Sequence, residues 1–529
     1  MASLLYSHVI FLRIVLEGVV IVDGQVNELF GYVIIFAFAA IFISISIFVS
    51  KKFPLEGVDD FISAGRSIPF ALIAASVMVS WVWTTTIMGA AEAGTWYGIS
   101  GGFNYSWGAC IPFFIFIPLV IHLRRIMPKT TTFTEFVKMR YGSKVSALFF
   151  CFGIGVALYV FVEQGVGLGI AFNTIFGIPY FVGALFPILI VTAYIARAGL
   201  RGSIFNDVIQ FFIITIIFIV SVPIILKTIG LDNIYNGMVD VTSNPRNPNF
   251  NPEALSMTSL SGFKYGAVAV VVAMGQVLFD QGYYSKAIAT VSTKALLKAY
   301  LIGTLLAWAP VPILSGNIFG VSLISMGIGQ GAGVDSLSQA APYIMNLVYG
   351  TGIGSVLFVL MIFMAGMTTG GNCLAGAQAL FTVDFYNNVV NKNATEQQQV
   401  RFGRIITIVL GVVVGIIAVL LNGVSLLRLD IFSGILFAAP TSAFLAGMLW
   451  KKTKPVVAVV SIFAGLTAGI FAWLIIPDEN LNWFVGNMLA LFLPAVVIIL
   501  GSIWPSKYSF DYSILKKYEP THAVNVKEV

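Results

Sequence analysis

An all-α polytopic membrane protein is the fold class this sequence predicts, and three observations predict it. Apolar residues make up 58% of the 529 and charged residues only 10%, too little charge to wrap a soluble core of this length. The apolar residues gather in stretches of about 20, enough for a helix to cross roughly 30 Å of hydrocarbon. The lysines and arginines stand between those stretches and sort to alternate sides. No period-two alternation of the kind that marks lipid-facing strands is present, which excludes a closed barrel.

Taken in order, residues 1–29 form an extracellular N-terminal segment. Its apolar piece, His8 to Val22, is interrupted by Arg13 and Glu17 and lacks a basic start, so it reads as a short interfacial helix or an overlong start rather than a signal peptide. A leading span covers 30–50. Ten more are expected at 68–94, 99–121, 146–172, 178–196, 204–226, 262–284, 297–325, 352–382, 402–421 and 427–449, and two at 455–476 and 483–504. A tail, 505–529, follows. With the N-terminus outside, 24 of the 29 lysines and arginines fall on the cytoplasmic side, Lys286 counted among them. Only Arg13, Lys227, Arg246, Lys264 and Arg428 lie outside, and one miscounted span would scramble that division. The expectation is thirteen spans, the long 227–261 loop outside and the tail in the cytoplasm. The sequon Asn393-Ala394-Thr395 then lies in a cytoplasmic loop, where glycosylation is not expected.

Two spans read as broken. The second packs Ser80, Trp81, Trp83, Thr84, Thr85 and Thr86 at its centre, and the ninth carries Met367-Thr368-Thr369-Gly370-Gly371-Asn372 at mid-depth. Such residues loosen a membrane helix and offer oxygens where transporters place their sites. The alternative is that they are ordinary close-packing residues between helices.

Several functions are excluded. The net charge of +6 resides in loops and implies no nucleic-acid partner. Cys110, Cys151 and Cys373 all lie within apolar stretches, so they make no disulfide framework. His8, His122 and His522 are scattered without metal-ligand spacing, and no GxxxxGK[ST] loop appears. Nothing pairs a nucleophile with a base, so no enzyme is expected. The short tail leaves no room for a signalling domain.

Four motifs carry a family resemblance. Gly65-Arg66-Ser67-Ile68-Pro69 through Trp96-Tyr97-Gly98-Ile99-Ser100 is similar to the first core helix of the sodium:solute symporter family. Ala198-Gly199-Leu200-Arg201-Gly202-Ser203 with Asn206-Asp207-Val208-Ile209-Gln210, and Phe381-Thr382-Val383-Asp384-Phe385-Tyr386, resemble two further elements of that family. Pro440 with Gly447-Met448-Leu449-Trp450-Lys451-Lys452 resembles a fourth. Trp81-Val82-Trp83, Tyr97-Gly98-Ile99-Ser100-Gly101 and the run Phe279–Ala289 are most similar to its urea-transporting branch. The resemblance implies a ten-helix inverted-repeat core of the amino-acid/sodium symporter type over 68–449. Its first repeat would be 68–226 and its second 262–449, with one helix before and two (455–504) after.

It further implies a plasma-membrane symporter that imports a small polar solute, urea or urea-like, with Na+ as coupling ion. The alternatives are a facilitative or proton-coupled urea or amide transporter, then an amino-acid or carboxylate symporter, then a membrane sensor. The implied sodium ligands are the carbonyls of Val79, Val82 and Ala365 and the hydroxyls of Thr368 and Thr369. Oxygens without fixed charge suit a dehydrated hard cation. Where the urea branch often has alanine, Thr369 keeps an oxygen, which favours sodium over a proton. Trp81, Thr86, Tyr105 and Gln276 are expected to face the solute cavity, with Trp81 and Trp83 alternatively lipid-facing or packing aromatics. The wall departs from that branch at Ser80 and Cys373, which places urea itself in question. Asp207 would lie on the ion exit path, or else pair with Arg201. Asp280 would pair with Lys286 or cap backbone amides. Glu92 would tune cation access or reach interfacial water.

Overall fold

The structure is a computed structural model that describes residues 28–520, apart from 56, 351, 505 and 506. The segment expected to be an interfacial helix therefore falls outside the described residues, as does the end of the tail.

The chain is helical throughout its membrane part. In order run α1 (Glu28–Lys52), α2 (Phe70–Trp81), α3 (Thr85–Tyr97), α4 (Ile99–Ile126), α5 (Ser143–Phe176) and α6 (Tyr180–Ile229). There follow α7 (Leu260–Phe279), α8 (Gln281–Ala289), α9 (Thr293–Ser325), α10 (Ile353–Leu380) and α11 (Glu396–Leu420). The last four are α12 (Leu426–Phe437), α13 (Thr441–Leu449), α14 (Pro455–Ile475) and α15 (Glu479–Ile503). Among the described residues, ten helices are individually long and apolar enough to cross a membrane, twelve when the bent pairs α2/α3 and α12/α13 each count as one span. At 1.5 Å per residue, the 50 residues of α6 would reach about 75 Å, far more than a bilayer needs. It bends at Gly199, whose φ of 57° and ψ of −151° leave the helical region, and division there brings the spans to thirteen. A side chain at Gly199 would run into the Phe61 carbonyl and ring, so this turn requires glycine.

The second span is broken as its sequence suggested. Regular helix stops at Val82 (φ −84°, ψ 87°), and α2 and α3 meet at a 56° bend. The backbone groups that the break releases find side chains in place of water. Thr84 N–H donates to Gln164 of α5 at 2.9 Å, and Trp83 N–H donates to the Thr86 hydroxyl at 3.0 Å.

The ninth span differs from expectation. Helix α10 runs unbroken from Ile353 to Leu380, straight through Met367–Asn372. Its glycines serve its neighbours instead. A Cβ at Gly366 would meet Leu168 at 2.7 Å, and one at Gly370 would fall on the Phe161 ring. Both contacts come from α5, which packs closely along α10. A break that the sequence did not announce lies between α7 and α8. Asp280 ends α7 and caps α8, accepting from Gly282 N–H at 2.7 Å. It also accepts from Asn372 Nδ2 of α10 at 2.6 Å, which ties the break to the unbroken helix.

Candidate functional site

The expected sodium ligands meet where α10 crosses the end of α2. Thr368 Oγ1 lies 2.8 Å from the Val79 carbonyl oxygen and 3.0 Å from that of Ala365. Thr369 Oγ1 donates to the Ser80 carbonyl at 3.3 Å. Val79, Ala365, Thr368, Thr369 and Ser80 are all buried. Val82, three residues past Val79, closes the last turn of α2, its N–H shared between the Met78 and Val79 carbonyls at 3.1 and 3.0 Å. The structure thus gathers four of the five named residues around one point and adds the Ser80 carbonyl, which sequence reasoning did not name. The elements explain the arrangement. The break frees α2 carbonyls from their i+4 donors, while Thr368 and Thr369 stand one turn beyond Ala365 on a helix drawn close by its glycines. Neutral oxygens in a buried setting are the donor set a sodium ion takes.

An ion pair lies beside them. Lys286 Nζ of α8 is 3.1 Å from Asp207 Oδ2 of α6, and both side chains are 0% exposed. The Ser76 hydroxyl donates to the same Asp207 oxygen at 2.6 Å. Lys286 also bonds to the Ser80 hydroxyl and reaches the Ser76 carbonyl at 3.4 Å. Three expectations change here. Lys286 is not a loop cation but a buried one. Asp207 does not pair with Arg201, which bonds Asp60 at 3.2 Å instead. Asp280 caps α8, as one of its two readings had it, and its pairing with Lys286 gives way to that of Asp207.

The four residues expected to face the solute line one small cavity of about 20 Å³, room for roughly one water. Trp81, Thr86, Tyr105 and Gln276 share it with Trp83, Trp308 and Asp430. Trp81 is buried, so it does not face lipid, and its ring centroid lies 4.8 Å from that of Trp83 and 5.7 Å from that of Trp308. Thr86 has a second duty, since its hydroxyl donates to the Trp81 carbonyl at 3.0 Å across the break. Gln276 Nε2 donates to Asp430 Oδ1 at 3.0 Å and to Ser433 Oγ at 2.9 Å.

Two carboxylates here went unread in the sequence. Asp430 sits in the cavity wall. Glu163 of α5, beside the Gln164 that holds Thr84, is fully buried, and neither of its oxygens has a hydrogen-bond partner among the described residues. The signal was present: acidic residues inside apolar spans default to function. Both fall inside expected spans, Glu163 in 146–172 and Asp430 in 427–449. Glu92 is also placed differently from expectation. It is buried, accepts from the Ser338 and Ser425 hydroxyls, each at 2.6 Å, and from Leu427 N–H at 3.3 Å. It therefore holds α3 to the start of α12 rather than meeting water.

The family model of the sodium:solute symporter family matches residues 61–465, most of the chain. The chain belongs to this family. It is 26% identical to a urea-proton symporter DUR3 of Oryza sativa subsp. japonica, over 93% of this chain and 74% of that protein. It is 25% identical to a urea active transporter of Saccharomyces cerevisiae, over 92% of this chain and 70% of that protein. Among solved structures it is similar to a Na+-coupled sialic acid symporter in a substrate-bound outward-open state. The TM-score is 0.68 and the identity 18%, covering 89% of this chain and 98% of the other. A second, Mhp1 of the nucleobase-cation-symport-1 family in a closed conformation, gives a TM-score of 0.52 at 14% identity, over 88% and 99%. The fold of this symporter is accordingly the ten-helix inverted-repeat core of the amino-acid/sodium symporter type, with flanking helices. Its relatives are transporters, not enzymes, and it carries a small solute across a membrane.

Proposed function

We propose that this family member is a sodium-coupled symporter that imports a small polar solute, urea or a close amide, by alternating access. The observation that carries the sodium half is the meeting of the Thr368 and Thr369 hydroxyls with the Val79 and Ser80 carbonyls. Sodium bound there bridges α2 and α10, and it stabilises whichever conformation holds those helices together. If that conformation also accepts solute, each ligand raises affinity for the other by the same factor. Asp207, one ion pair away, stands where a departing sodium would meet a carboxylate. Trp81, Thr86, Tyr105 and Gln276 form the solute wall, where flat rings exclude water and amide and hydroxyl groups orient a planar solute. The names of the relatives support urea or an amide as the first solute to test.

The arrangement within the bilayer is part of the same reading. The repeats are 68–226 and 262–449, the N-terminus is outside, the C-terminus is cytoplasmic, and the membrane is the plasma membrane. The deciding experiment is uptake of labelled urea into proteoliposomes under a sodium gradient. Sodium-driven accumulation is expected, and Thr368→Ala with Thr369→Ala abolishes the sodium dependence while the protein still folds. Accumulation that ignores sodium in the unaltered protein overturns the coupling.

One observation favours a second reading. Glu163 is buried without a hydrogen-bond partner among the described residues, and the rice relative is named as a urea-proton symporter. Uptake driven by an imposed pH gradient in sodium-free buffer, and lost in Glu163→Gln, would establish proton coupling instead.

A further inference from the structure

Ser80 faces two ways. Its carbonyl accepts from Thr369 at 3.3 Å, from the Tyr283 hydroxyl at 3.1 Å and from the Trp83 indole at 2.8 Å. Its hydroxyl donates to the Ser76 carbonyl at 2.7 Å and takes a hydrogen bond from the Lys286 ammonium. That ammonium has three oxygen partners of three kinds: the Ser80 hydroxyl, the Ser76 carbonyl at 3.4 Å and Asp207 at 3.1 Å. A lysine has three N–H donors, and here each finds an oxygen in a fully buried site. One residue back along the chain, the Val79 carbonyl belongs to the neutral oxygen cluster of Thr368 and Ala365.

We propose that Lys286 is a tethered cation that competes with the coupling ion across Ser80. The inference rests on the sodium reading above and deepens it. Val79, Ser80, Ala365, Thr368 and Thr369 bring no formal charge. Asp207 is the only carboxylate in contact with the ammonium among the described residues, and it offsets one positive charge, not two. Asp280 also feels Lys286, but its oxygens are already engaged by Gly282 N–H and Asn372. A second cation beside Ser80 therefore meets an ammonium whose one counter-charge is already taken, where little water softens the repulsion. Sodium arriving at Thr368 and Thr369 drives the ammonium off Ser80 towards Asp207. The ammonium returning to Ser80 lowers the affinity for sodium and favours its release. Because α8 carries Lys286 and begins at the Asp280 break, the exchange passes ion occupancy to the second broken span.

The test measures sodium binding to the full-length protein in detergent, as the rise in unfolding midpoint with sodium concentration, with choline holding ionic strength constant. Lys286→Gln is expected to lower the half-saturating sodium concentration about tenfold, within the usual range of coupling between sites. Lys286→Arg, which keeps the charge, is expected to stay near the unaltered protein. Lys286→Gln leaves Asp207 buried and unpaired. Should it fail to fold, the comparison moves to Lys286→Gln with Asp207→Asn against Asp207→Asn alone, and the double variant binds sodium more tightly. A merely structural pair predicts lower stability with sodium affinity unchanged, and that result overturns the proposal while leaving sodium coupling intact. An unaltered protein with no sodium response overturns both.

Discussion

Asp430 changes what the proposed solute wall asks of its ligand. Trp81, Thr86, Tyr105 and Gln276 alone describe a neutral, weakly polar surface. Asp430 adds a strong acceptor that Gln276 already engages. A solute rich in N–H groups can take over part of that acceptor, as urea and simple amides can, whereas a carboxylate solute would be repelled. Asp430→Asn removes the charge and keeps the shape. A hydrogen bond to a charged group contributes about 1.5–3 kcal/mol, so solute affinity should fall tenfold or more. Sodium affinity should hold, because the carboxylate lies outside the Thr368 and Thr369 cluster. Paired titrations of solute and sodium on the same protein check this, and equal losses in both would assign Asp430 a structural role. These residues were unevenly legible in the sequence. The threonines of α10 were readable because family motifs set their register. Asp430 and Lys286 were not, since their meaning depends on which helix each one faces.

At the scale of elements, one break was legible and another was not, for reasons that lie in the side chains. Around Ser80–Thr86 the hydroxyls and tryptophans that satisfy a broken backbone are local, so the sequence displays them. Across Phe279-Asp280-Gln281 a single carboxylate does that work, and half of its partnership comes from Asn372 on another helix. The mid-depth glycines of α10 misled for the converse reason. They look like a weak point along the chain, yet Gly366, Gly370 and Gly371 are each filled by a side chain of α5 or α6, as Gly371 is by the Tyr194 hydroxyl, 2.7 Å from where its Cβ would stand. A consequence follows for α8. Asp280→Ala removes the cap on Gly282 and the tie to Asn372, with a loss of about 1–2 kcal/mol for the cap alone. Asp280→Asn keeps an acceptor and should recover most of that loss. Unfolding midpoints of the two variants in detergent compare them directly, and an unshifted Asp280→Ala would mean that packing, not the cap, holds the break.

Over the whole molecule, the apolar stretches made the spans legible, and Gly199 is where the longest described helix divides in two. Lys286 is the cation that loop counting misplaced. Its burial matters for energetics because the Lys286–Asp207 pair is neutral as a unit and, so held, adds nothing to the net charge carried. The neutral oxygens around Thr368 and Thr369 add none either. In the proposed cycle, one sodium crossing with an uncharged solute would therefore move one net positive charge through the membrane field. A potential of 100 mV acts on that charge with about 2.3 kcal/mol, which sustains a solute ratio on the order of 50-fold. Proteoliposomes with equal sodium on both sides and a potassium diffusion potential, negative inside, isolate this term. Solute should accumulate under the potential alone and drain when its sign is reversed. Accumulation indifferent to the potential would require a compensating charge, either an anionic solute or a counter-moved cation, and would contradict a one-sodium, neutral-solute cycle.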